Sequence, residues 1–145
     1  MRRTTMFALA AAGAALLAAP GAMAQKRENG AREMMLSLGG GMKGKKLENA
    51  IKAADAFPVG SKQNPVRENS PAGEHAYLRR LRCADGSAPA YERRGNIGPG
   101  PYDFIVDLYA VTCPGQPAVD VHIDMYHDGP DDRPVPGFTI VPAED

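Results

Sequence analysis

Hydrophobic and polar positions alternate most regularly between Phe104 and His127. The arm from Phe104 to Cys113 is rich in β-branched and aromatic residues. Pro114-Gly115-Gln116-Pro117-Ala118 suits a turn and not a strand. Beyond it, Val119, Val121, Ile123 and Met125 alternate with Asp120, His122, Asp124 and Tyr126. A period of two over this length predicts an antiparallel hairpin with one face in the core and the other in solvent.

The helical spacing appears once with clarity. Leu47, Ala50, Ile51 and Ala54 recur within Lys45 to Phe57, and Pro58 must end that helix because proline disfavours helical geometry in the residue before it. The segment Glu74 to Cys83 reads better as a strand, with Tyr77, Leu81 and Cys83 on one side. As a helix it would join His75, Leu78 and Arg82, a poor apolar stripe. Asp85-Gly86 predicts a turn, Ala90 to Gly95 a short strand, Gly98-Pro99-Gly100-Pro101 a rigid loop and Phe138 to Val141 an edge strand. The predicted fold class is α+β: a small antiparallel sheet of four to five strands with one packed helix and one disulfide.

The first residues change the picture by giving an address. Arg2 and Arg3, the uncharged run Met6 to Ala19 and the small-x-small triplet Ala22-Met23-Ala24 together predict a signal peptide over residues 1–24. A flexible leader is then expected over 25–44 and a single α+β domain over 45–145. The paired arginines leave general and twin-arginine export both open. No later run has the length of a membrane span, so the processed chain is expected to be soluble and periplasmic or secreted, in a Gram-negative bacterium.

Export gives meaning to the cysteines. The chain holds two, Cys83 and Cys113, and an oxidising compartment favours a disulfide between them over two free thiols. Charge is balanced overall but split along the chain. Lys26 to Arg94 holds 14 basic and 8 acidic residues, whereas Gly95 onward holds 1 and 9. Pairing of basic and acidic strands accounts for this, and a surface with separate poles that steers a partner is the alternative. Nucleic acid is not an expected partner, since no basic stripe interleaved with aromatics occurs.

Candidate chemistry is sparse. Gly39 to Lys45 has the Gly-x-x-x-x-Gly-Lys spacing of a phosphate loop, but Lys46 stands where Ser or Thr would hold magnesium. Asp120 and His122 project from one face of the second hairpin arm and could share a metal with Asp107 of the first arm. Carboxylate-based hydrolysis would draw on Asp103, Asp107 and Asp124. A serine nucleophile would need Ser61, Ser70 or Ser87 near His75, His122 or His127, and none lies in a nucleophile-elbow pattern. Arg79, Arg80 and Arg82 form a candidate patch for a ligand or partner. They either pair with Asp107, Asp120 and Asp124 or grip a carboxylate or phosphate.

From Leu38 onward the chain resembles small exported proteins of alphaproteobacteria, an uncharacterised group. The likeness rests on Gly39-Gly40-Gly41-Met42-Lys43-Gly44-Lys45-Lys46-Leu47, Asn64-Pro65-Val66-Arg67, Arg80-Leu81-Arg82-Cys83-Ala84-Asp85-Gly86, Asp124-Met125-Tyr126-His127 and Pro134-Val135-Pro136-Gly137-Phe138. It implies export and a single domain, and no activity. The function expected is therefore a non-catalytic binding or interaction module for a periplasmic protein or a small anionic ligand, with no cofactor. A small metal-dependent or carboxylate-based hydrolase is the alternative.

Overall fold

The alternating stretch folds as its pattern predicts. In the computed structural model, which describes residues 41–129 and 131–143, strand β4 (Ile105–Thr112) turns back into β5 (Val119–Asp124) as an antiparallel hairpin. Gly115 takes a positive φ in the turn, and Gln116 N–H closes it on the Cys113 carbonyl at 3.1 Å. The signal segment, Met34 to Leu38, and Gly39 and Gly40 of the phosphate-loop spacing lie outside the described residues.

Around the hairpin the chain places α1 (Gly44–Ala54), β1 (Val66–Arg67), α2 (Pro71–Arg80), β2 (Leu81–Arg82), β3 (Ala90–Pro99) and β6 (Thr139–Ile140). The larger sheet has the order β1-β5-β4-β3, and a second ladder joins β2 to β6. β1 runs parallel to β5, so the expected antiparallel sheet is mixed. Two residues of β1 are too few to show a period, which is why the pairing could not be read in advance. The α+β class and the disulfide stand as expected, with Cys83 and Cys113 bonded across Cα atoms 5.8 Å apart.

Of the segment Glu74 to Cys83, expected as a strand, residues 74–80 instead belong to α2 and only Leu81–Arg82 is extended, as β2. Ser70 takes the N-cap, its hydroxyl accepting from Gly73 N–H at 3.1 Å, and Pro71 follows at a position where its missing donor costs nothing. The buried side of this helix is Glu74, Tyr77 and Leu78, continued by Leu81. A carboxyl in the first of those places hides the helical stripe from any count of apolar residues. Arg79 and Arg80 fill the last turn, where cations suit the helix dipole.

Register decides which side chains can meet. Asp107 faces Ile123, Leu108 faces His122 and Tyr109 faces Val121 across the hairpin. Asp107, Tyr109, Val121 and Ile123 thus share the face that α2 covers, and Tyr77, Leu78, Leu81, Val66, Val111 and Phe138 complete that core. Gly60 locks the connector after α1 onto β5. Its carbonyl accepts His122 N–H at 2.9 Å, its φ is +81°, and a Cβ there would lie 2.7 Å from Val135 Cγ2.

Residues at the start of the domain are attached earlier than the expected boundary. Gly41 and Met42 N–H reach the carbonyls of Asp103 and Tyr102 at 3.2 and 2.8 Å, and α1 begins at Gly44. Three pairs join the two charge-biased halves: Lys46 with Asp103, Arg80 with Asp132 and Arg93 with Asp107.

Candidate functional site

Three arginines converge where α2 ends. Arg79 and Arg80 leave its last turn, and Arg82 follows two residues on in β2. The C-terminal segment runs alongside because β6 pairs with β2 and Val141 N–H bonds the Arg80 carbonyl at 3.0 Å. Between them lies a groove of about 420 Å³, lined by these arginines with Ala76, Val141, Pro142 and Ala143.

The three guanidinium groups are held to different degrees. Arg80 is the anchored one: its side chain is 13 % exposed, Nε donates to the Val141 carbonyl at 2.9 Å, and Nη2 meets Asp132. Arg82 donates from one nitrogen, Nη1, to the carbonyls of Arg79 and Leu81 at 2.7 and 2.8 Å. Those bonds set its direction and leave the other face of its planar fork for a ligand. Arg79 is exposed and makes no ion pair among the described residues. Asp107, Asp120 and Asp124, the carboxylates expected to neutralise these arginines, do not; Asp132 takes that role for Arg80 alone.

The proposed metal set is separated by the sheet itself. Asp107 shares a face with Ile123, whereas His122 and Asp120 lie on the opposite one. Asp107 is gripped by Arg93 through two bonds of 2.7 and 2.8 Å, His122 Nδ1 contacts the Gly60 carbonyl at 2.9 Å, and Asp120 is exposed. No three His, Cys, Asp or Glu side chains among the described residues gather as a metal cluster. Asp103 pairs with Lys46. Asp124 is buried, accepting Tyr126 N–H, His127 N–H and a 2.7 Å contact from His127 Nδ1. The serines are also committed: Ser61 and Ser70 accept backbone N–H groups, and Ser87 donates to Asp85 at 2.6 Å.

Three buried carboxyls escaped the sequence reading. Glu74 takes a bond from the Tyr109 hydroxyl at 3.0 Å, and burial, reinforced by the nearby Asp107 carboxylate, pushes its pKa up to about 8. Glu68 accepts Asp131 N–H at 3.3 Å and is pushed up to about 7, again chiefly by burial. Asp131, buried beside it, is neutralised by Arg133 through contacts of 2.8 and 2.9 Å. Nothing in residue type or spacing marks a glutamate as interior, so only Ser70-Pro71 three residues ahead of Gly73-Glu74 hinted at a helix start. These groups sit in the packed interior.

No family model matches the chain, and neither a curated protein nor a solved structure matches it.

Proposed function

We propose that the protein is an exported, disulfide-stapled binding module, without catalysis of its own, whose ligand presents a carboxylate or phosphate group to Arg79, Arg80 and Arg82. The observation that carries this reading is the groove of about 420 Å³, which three arginines line together with Ala76, Val141, Pro142 and Ala143 and in which one carboxylate, Asp132, answers one of them. Guanidinium forks match planar or tetrahedral oxyanions with paired hydrogen bonds, and partial burial strengthens each bond. Of the other candidate side chains, His122 holds the Gly60 carbonyl, Asp103 pairs with Lys46, and Asp120 is exposed. Asp107 and Asp124, which a hydrolase would need open to substrate, are buried in an ion pair and in a turn.

Export is supported by the Cys83–Cys113 bond, which an oxidising compartment preserves. Mass spectrometry of periplasmic protein should find a chain starting at Gln25.

Calorimetric titration of that protein with inorganic phosphate, citrate and a short acidic peptide tests the site. Binding that weakens steeply with salt and is lost in the Arg79→Gln/Arg82→Gln double variant is expected. Equal binding by the variant would reject the groove. Turnover in an esterase, phosphatase, peptidase or glycosidase assay, abolished by a single polar substitution, would replace the binding reading with the hydrolytic one.

A further inference from the structure

A second, larger groove of about 540 Å³ lies on another part of the surface, between α1 and the loop Pro99-Gly100-Pro101. Its α1 wall is built from Ala50, Ala53 and Ala54, whose side chains stop at Cβ and leave the space open. Phe57 closes the lining with 46 % of its surface exposed, the larger of two such exposures among the described residues. A large aromatic left uncovered beside an apolar trough marks surface that a ligand would remove from water.

Hydrogen bonds tie both walls of this groove to the rest of the fold. Asn64 is buried and donates from Nδ2 to the Phe57 carbonyl at 2.9 Å, while Gly60 ties the same connector to β5. On the other wall two prolines flank Gly100, whose N–H bonds the Phe104 carbonyl at 2.7 Å and where any Cβ would collide with Val106. Preformed walls spare a ligand the cost of ordering them.

One charge shares the lining. Lys62 is exposed, makes no ion pair among the described residues, and no acidic side chain lines the groove with it. An apolar trough with a single unanswered cation is complementary to an apolar chain that ends in one negative charge. We propose that this groove binds a monoanionic amphiphile, a medium- or long-chain carboxylate, with the chain against Ala50, Ala53 and Phe57 and the head at Lys62. The site is separate from the arginine groove, and its ligand is selected mainly by apolar length.

The test is a calorimetric titration of the processed protein with octanoate, decanoate and dodecanoate, each below its micellar concentration. Affinity should rise about threefold to fourfold per added methylene. Ala53→Phe, on an exposed helix position, should fill the trough and weaken dodecanoate at least tenfold. Ala50→Leu provides a second, smaller filling if the first variant melts early. Lys62→Gln should weaken all three ligands by one common factor, and in the Arg79→Gln/Arg82→Gln background, which removes carboxylate binding at the arginine groove, the dependence on chain length and the loss in Ala53→Phe should both remain. Dodecyltrimethylammonium should bind more weakly than dodecanoate. Affinity independent of chain length, equal binding of the cationic amphiphile, or loss in the arginine variant with none in Ala53→Phe would each overturn the proposal.

Discussion

The Tyr109 hydroxyl donates to Glu74 Oε2 at 3.0 Å in the interior between α2 and β4. Burial holds that carboxyl's pKa up at about 8 against 4.5 for an exposed glutamate, and Glu68 up at about 7. The folded state therefore keeps protons that the unfolded chain releases. Stability from these groups is complete below 4.5 and is lost as pH rises through about 7 and then about 8, by at most about 1.4 kcal/mol per pH unit for each group. Melting temperature should fall across that window, and Glu74→Gln, which keeps an acceptor for Tyr109, should flatten the upper part. Melts of both proteins at intervals from about pH 4.5 to 9 decide it; identical slopes would mean Glu74 is ionised in the fold.

The contrast between Glu74 and the hairpin shows where sequence reading succeeds. Along β5 Val121 and Ile123 are buried while Asp120 and His122 are not, so there the pattern and the burial have one cause, although Val119 at its start is exposed. Even there the pattern ended too soon: Asp124 is buried, since the chain turns directly after it and uses its carboxylate to collect two N–H groups. α2 was hidden because its buried stripe begins with a carboxyl. The arginine patch was legible as residues but not as a place. Its groove depends on β6 returning to β2 from far along the chain, and long-range pairing of two-residue strands leaves no local trace.

Arg93 and Asp107 form a bidentate pair whose members differ in burial, with side chains 48 % and 2 % exposed. Removing the arginine would strand a carboxylate beside Glu74 in the core, whereas removing the carboxylate would free a guanidinium already half in water. Arg93→Gln is therefore expected to cost about 2 kcal/mol or more, and Asp107→Asn less. Urea unfolding of both single variants and the double variant should show strong non-additivity. Additive losses would mean the pair contributes little beyond packing.

The Cys83–Cys113 bond closes a loop with a sequence separation of 30 and ties the end of β2 to the end of β4. Constraint of the unfolded chain by such a loop is worth roughly 3–4 kcal/mol in the chain-entropy account. Denatured but unreduced protein should titrate with no free thiol. Chemical unfolding with and without a reductant should show the midpoint falling and the slope rising, because the released unfolded chain exposes more surface. Two titratable thiols per chain would remove both the staple and the main structural support for export.

Arg80 and Arg79 are neighbours in one helical turn, yet their substitutions should read differently. Arg80 is largely covered, and its guanidinium joins two segments through the Val141 carbonyl and Asp132. Losing those bonds in Arg80→Gln exposes the end of the β2–β6 ladder and should cost roughly 1 kcal/mol, because Asp132 is itself mostly in water. In a domain of this size that lowers the melting temperature by several degrees. Arg79 is exposed and makes no ion pair among the described residues, so Arg79→Gln should melt with the parent protein and lose only affinity for phosphate or citrate. Paired thermal melts and titrations on the two variants separate the roles. An early-melting Arg79→Gln would make the patch structural, and an Arg80→Gln variant that melts normally would show that β6 is held in place without its guanidinium.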